Sequence, residues 1–134
     1  MTEEEFKWDV LADLVSEDYQ MLWEPLGWAR THFADSTESE LRALVERVLN
    51  DLHDNGLVYL FRVGADHDVN ASAEDRDRRL DPEQARTLIA GNDWRTVPPG
   101  PDGVRVWIGP TKDGETAVEN APPDIRALWG RQRG

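Results

Sequence analysis

Cysteine is absent from this chain of 134 residues. Neither a disulfide nor a thiolate metal site is available, which fits a reducing compartment. Lysine is almost missing as well: Lys7 and Lys112 are the only two, and arginine supplies the rest of the 15 basic side chains. No apolar run approaches the roughly 18 residues that a membrane-spanning helix needs. The opening Met1-Thr2-Glu3-Glu4-Glu5 has neither the basic start nor the apolar stretch of a secretory signal. A cytoplasmic location with no membrane contact is therefore the expectation. GxSxG, GxGxxG and P-loop patterns are missing too. The three histidines, His32, His53 and His67, lack the close spacing of metal ligands. From these absences we expect no catalytic residue, no cofactor and no metal, hence no enzyme.

Acid is what the chain has in excess. Asp and Glu total 27 against 15 Lys and Arg, for a formal net charge of -12. The excess is concentrated early: residues 1–60 carry fourteen acids and four bases. Such a half is repelled by phosphate backbones and anionic lipid, and is attracted to basic protein surfaces. Six tryptophans, three phenylalanines and two tyrosines are more aromatic mass than disordered chains carry. A single packed domain over residues 1–121, with a C-terminal segment 122–134 docked on it, is the expected organisation.

Hydrophobic periodicity supplies the elements. Thr2 and Glu5 have capping-box spacing and open a helix whose apolar face is Phe6, Val10 and Leu14 with Leu11 and Val15 beside them. Ser16 reads as a fresh N-cap, and a second helix is expected from Glu17 toward Phe33, kinked at Pro25 or restarted with Pro25 in its first turn. Thr37 and Glu40 form another capping box, and Leu41, Leu44, Val45, Val48, Leu49 and Leu52 follow as one full helical stripe. Asn55-Gly56 stops that helix and Leu57–Val63 is strand-forming. Residues 64–79 read as a polar loop. Asp81-Pro82 caps a further helix ending at Gly91, Val104–Ile108 alternates as a second strand, and Thr111 caps a helical turn through Val118. Beyond Pro122-Pro123, Ile125, Leu128 and Trp129 share one face if that segment is helical.

Two of these stretches resemble a winged helix-turn-helix domain. In that family a recognition helix ends in a polar residue, Gly, Leu and Val and runs into the first wing strand, as Leu44–Val58 does through Asn55-Gly56-Leu57-Val58. Val104–Ile108 followed by Thr111-Lys112-Asp113-Gly114-Glu115 is similar to the second wing strand and the helix after it. The fold this implies is α+β: a mostly helical, winged-helix-like domain with a small antiparallel sheet. The family's wing is short, whereas here residues 64–103 intervene with a whole helix among them. The short helix and turn that precede a recognition helix are not marked in the sequence.

The resemblance raises DNA binding, and charge argues against it. The polar face of the 38–54 helix offers Arg42, Arg47 and Asn50 as base or phosphate contacts, but Glu46, Asp51 and Asp54 interleave with them. The expected function is a small acidic protein-interaction module (an inhibitor, immunity protein or adaptor) that binds a basic protein. Glu46, Asp51, Asp54 and Trp129 are its candidate contact residues, and a DNA-binding regulator using Arg42, Arg47 and Asn50 is the alternative. Residues 66–77 place Asp66, Asp68, Asn70, Glu74 and Asp77 at positions 1, 3, 5, 9 and 12 of a calcium-loop pattern. Ala71 stands where the sharp turn requires Gly, and Asp77 is short for a bidentate ligand, so a solvated acidic loop is expected there. The tryptophans are expected in the core, and two exposed side by side would mark a contact surface.

Overall fold

The computed structural model describes residues 1–17, 19–63, 79–91 and 105–133. Helix α1 spans Glu3–Glu17 and a two-residue strand β1 covers Gln20–Met21. Helices α2 (Glu24–His32) and α3 (Glu38–Asp54) follow, and then strand β2 (Val58–Val63). Helix α4 (Pro82–Ala90), strand β3 (Arg105–Pro110) and helices α5 (Lys112–Glu119) and α6 (Pro123–Arg133) complete the described chain. The fold is α+β, mostly helical, with a three-stranded antiparallel sheet in the order β1-β3-β2.

The helices begin where the caps direct. At α1, Glu5 N–H donates to Thr2 Oγ1 at 3.1 Å and Thr2 N–H to Glu5 Oε1 at 2.9 Å. Thr37 and Glu40 make the same reciprocal pair at α3, as do Asp81 and Gln84 at α4, each satisfying backbone donors that a helix start leaves open. Gly56, at φ 71°, closes α3. Its N–H reaches His53 O and Leu57 N–H reaches Leu52 O, both at 3.0 Å. A side chain resists that left-handed backbone.

The expected helix from Glu17 to Phe33 is not formed as one piece. Helix α1 runs through Ser16 to Glu17, so Ser16 caps nothing, and the chain then turns into β1. Gln20 and Met21 stand opposite Ile108 and Trp107, and Leu22 N–H donates to Val106 O at 3.0 Å. The backbone groups of this stretch are thus satisfied by the edge of β3 rather than by a helical turn. Helix α2 restarts with Pro25 in its first turn, where the missing N–H is harmless.

One core lies between the helices and the inner sheet face. Phe6, Leu14, Leu26, Val45, Leu49, Leu60, Ile89 and Ile108 are all buried in it, with α3 packed against α1, α2, α4 and β2. Strand alternation puts Val58 and Leu60 on this face and Tyr59 and Phe61 on the other, where Tyr19 and Trp107 join them. Helix α4 lies in sequence between the two longer strands, and the bridge Phe61–Arg79 with Leu80 N–H on Leu60 O leads into it.

Candidate functional site

The charges on the polar face of α3 are engaged within the chain. Arg47 places Nη2 2.9 Å from Glu3 Oε1 on α1. Arg42 Nε stands 3.8 Å from Glu38 Oε1, while Glu38 also takes Arg30 Nη2 at 2.5 Å. Asp51 faces Lys7 at 3.0 Å and accepts from Asn55 Nδ2 at 2.7 Å. Asp54 takes Arg86 of α4 at 2.8 Å. Glu46 and Asn50 are half-buried, and Asn50 Oδ1 finds no donor among the described residues. Burial pushes His53 below its ordinary pKa, with Asp54 opposing the shift and Arg86 adding to it. The proposed contact residues of α3, acidic and basic alike, are thus spread along a face flanked by α1 and α4 rather than gathered at one opening.

Trp129 leads to a different place. It meets Trp8 of α1 edge to face, ring centres 6.5 Å apart, and it lines a cavity of about 410 Å³ together with residues of α1 and α2. Helix α1 presents Asp9, Ala12, Asp13 and Ser16 to this cavity, and α2 presents Trp28 and His32. These positions are three and four apart, so each set shares one helical face. Phe6 and Val10 form the floor. Among the described residues the lining holds two carboxylates and one imidazole, and no lysine or arginine.

The polar geometry of this cavity is incomplete. His32 Nε2 lies 3.6 Å from Asp9 Oδ2, too far for a hydrogen bond, and is buried with no hydrogen-bond partner among the described residues. The imidazole is fixed instead by its rings: Trp28 stacks on it at 5.7 Å and 11°, and Phe6 meets it edge-on at 6.5 Å. Asp13 accepts from the buried Gln20 amide. Burial raises the Asp9 pKa, His32 counteracts this, and the Asp13 carboxylate one turn away reinforces it. Glu24, near the same end of α1, is likewise raised by burial, offset by the Met21 N–H, with repulsion from Glu17 and Asp13 adding to the rise. Carboxylates are crowded together here, and no lysine or arginine among the described residues lines the cavity with them.

Trp28 stands at 44% exposure, the one exposed aromatic among the described residues. Trp8, Trp23, Trp107 and Trp129 are half-buried, and Trp94 lies outside the described residues. So do His67 and the whole calcium-loop pattern of residues 66–77. Among the described residues no group of three or more His, Cys, Asp or Glu could hold a metal ion, and no helix is long and apolar enough to cross a membrane.

The sequence reading missed Asp9, Asp13 and Ser16 as site residues, and it took His32 singly. The available signal was the four-residue spacing of Asp9 with Asp13 and of Trp28 with His32, but that spacing also describes any solvated helix face. What distinguishes it is the second helix standing opposite, which is tertiary information. Searches against family models, curated proteins and solved structures gave no match.

Proposed function

We propose that this chain is a protein-interaction module of the inhibitor, immunity or adaptor kind, acting in the cytoplasm by binding a basic protein. The observation that carries this reading is the cavity between α1, α2 and Trp129, lined by Asp9 and Asp13 with no lysine or arginine among the described residues and bordered by the exposed Trp28. An acidic recess beside an exposed tryptophan suits a cationic protein surface, where charge steers the encounter and an aromatic anchors it. The proposed role is binding rather than catalysis.

The body is proposed as a decorated winged helix. In that reading α2, the connection 33–37 and α3 are the helix-turn-helix, β2 and β3 are the wing strands, and α4 is an insertion between them. DNA binding remains the second reading on that layout. It is disfavoured because Arg42 and Arg47 already face carboxylates and α4 packs on α3, where a groove-reading helix needs a free face.

Capture from the native host with the immobilised chain, followed by titration of each recovered protein at low and high salt, tests the proposal. A basic partner whose affinity falls with salt is expected. Recovery of no basic protein, together with salt-sensitive binding to duplex DNA, would replace this reading with the regulator.

A further inference from the structure

We propose that the cavity between α1, α2 and α6 receives a single arginine side chain from the basic partner, an inference that rests on the interaction-module reading above. Four features of the cavity select this occupant. Its volume of about 410 Å³ sits near the lower end of ligand pockets, which suits one long side chain rather than a folded element. Asp9 and Asp13 exclude an anion. An apolar side chain would seal the Asp9 carboxylate away from water with only the imidazole beside it, at 3.6 Å, which is strongly unfavourable. A cation removes that penalty.

Arginine fits better than lysine. Asp9 Oδ2 and His32 Nε2 stand 3.6 Å apart, and the imidazole nitrogen has no hydrogen-bond partner among the described residues. A guanidinium carries several N–H donors in a rigid fork, enough to meet the carboxylate and a ring-nitrogen lone pair beside it at once. It also stacks on aromatic faces, and Trp28 and Trp129 both line the cavity. A polypeptide source, not a free amine, follows from the surroundings: residues 1–60 hold ten more acids than bases, a field that draws an extended basic segment.

The test uses the full chain, labelled with nitrogen-15, and a capped Gly-Arg-Gly tripeptide. Saturable shifts of the Trp28 and Trp129 indole N–H signals are expected, with none from the citrulline counterpart, which keeps the shape and loses the charge. Trp28→Ala and Asp13→Asn, each first checked for an unchanged melting temperature, should weaken binding about tenfold or more. Asp13→Asn keeps an oxygen for the Gln20 amide, so the fold is spared. Glu119→Gln, an exposed acid on α5 away from the cavity lining, should bind as the parent does. Equal shifts from citrulline, no shifts at all, or undiminished binding by both cavity variants would overturn the assignment. A captured basic protein that still binds Trp28→Ala and Asp13→Asn at full strength would leave the interaction-module reading standing and remove this site from it.

Discussion

The guanidinium of Arg47 rests on the carboxylate of Glu3, 44 positions earlier in the chain, at 2.9 Å. The pair ties the solvent side of α3 to the first turn of α1, and it removes one of the few cations that a phosphate could use. With a net charge of -12, the chain should show no measurable binding to random duplex DNA at physiological salt. Fluorescence anisotropy checks this. Sub-micromolar affinity that weakens with added salt would contradict it and favour the regulator.

Val48 lies at the centre of the α3 stripe at 2% exposure, between Leu44 and Leu52. Truncation to Ala removes two buried methyl groups and leaves a partly unfilled cavity. Val48→Ala should lower stability by about 1–3 kcal/mol in urea denaturation. An unchanged midpoint would mean that α3 is not packed as described.

Gly114, in the first turn of α5, sits against the Leu57 backbone and Leu11 of α1. Thr111 Oγ1 donates to Gly56 O at 2.7 Å and accepts from Gly114 N–H at 3.0 Å. A Cβ on Gly114 would stand 2.2 Å from Leu57 O, and that oxygen is backbone, held by Thr111 N–H at 3.0 Å. Nothing can swing aside, so α5 itself must shift. Gly114→Ala should destabilise by roughly 1–3 kcal/mol despite alanine's better helix propensity. A neutral or stabilising result in thermal melts would show that α5 docks elsewhere.

Most elements were legible because each carries its own local signal. The stripe Leu41–Leu52, bounded by Thr37 and Gly56, needs no tertiary partner to be recognised, and the same is true of Leu57–Val63 and the Asp81 and Thr111 caps. Strand β1 was not legible. Gln20 and Met21 are strand only because β3 supplies partners from the far end of the chain, and local capping signals at Ser16 pointed the other way. The site failed for a similar reason. Asp51 and Asp54 look like exposed acids in sequence, yet Lys7 and Arg86 meet them through the fold. Asp9 looks like one more surface acid, and only the arrival of α2 and Trp129 makes it a half-buried one.

Asp9 carries a testable pH signature. Burial raises its pKa, Asp13 reinforces the rise and His32 opposes it. A carboxyl whose folded pKa exceeds its unfolded value binds more protons in the folded state. Its charged form therefore weakens the fold at neutral pH, and the penalty fades as pH falls through the folded pKa. Asp9→Asn should thus melt higher than the parent at pH 7, with the gain shrinking toward pH 4, near the reference carboxyl value. If the cavity holds a cation, the same variant should bind it less well, so stability and binding should move in opposite directions. A lower melting temperature at pH 7 would show that the carboxylate stabilises the fold instead.

The C-terminal helix offers the last prediction. Helix α6 follows Pro122, and its Arg126 Nε donates to Ala121 O at 3.2 Å. Ile125 is 4% exposed, while Leu128 and Trp129 are half-buried, Trp129 against Trp8. A helix of this length has little stability alone in water, so its contacts with the body must hold it. Burying Ile125 alone contributes about 1.5–3 kcal/mol, which for a chain of this size is several degrees in melting temperature. Deleting residues 122–134 should lower the melting temperature by at least that much, and Ile125→Ala should reproduce a good part of the loss. Trp129→Ala separates the two roles of this segment. It should lower the melting temperature less than Ile125→Ala, because the indole is only partly covered, yet it should impair binding of a basic partner more. If deletion leaves the melting temperature unchanged and abolishes partner binding or self-association, then α6 is not part of the folded body and Trp129 anchors an interface alone.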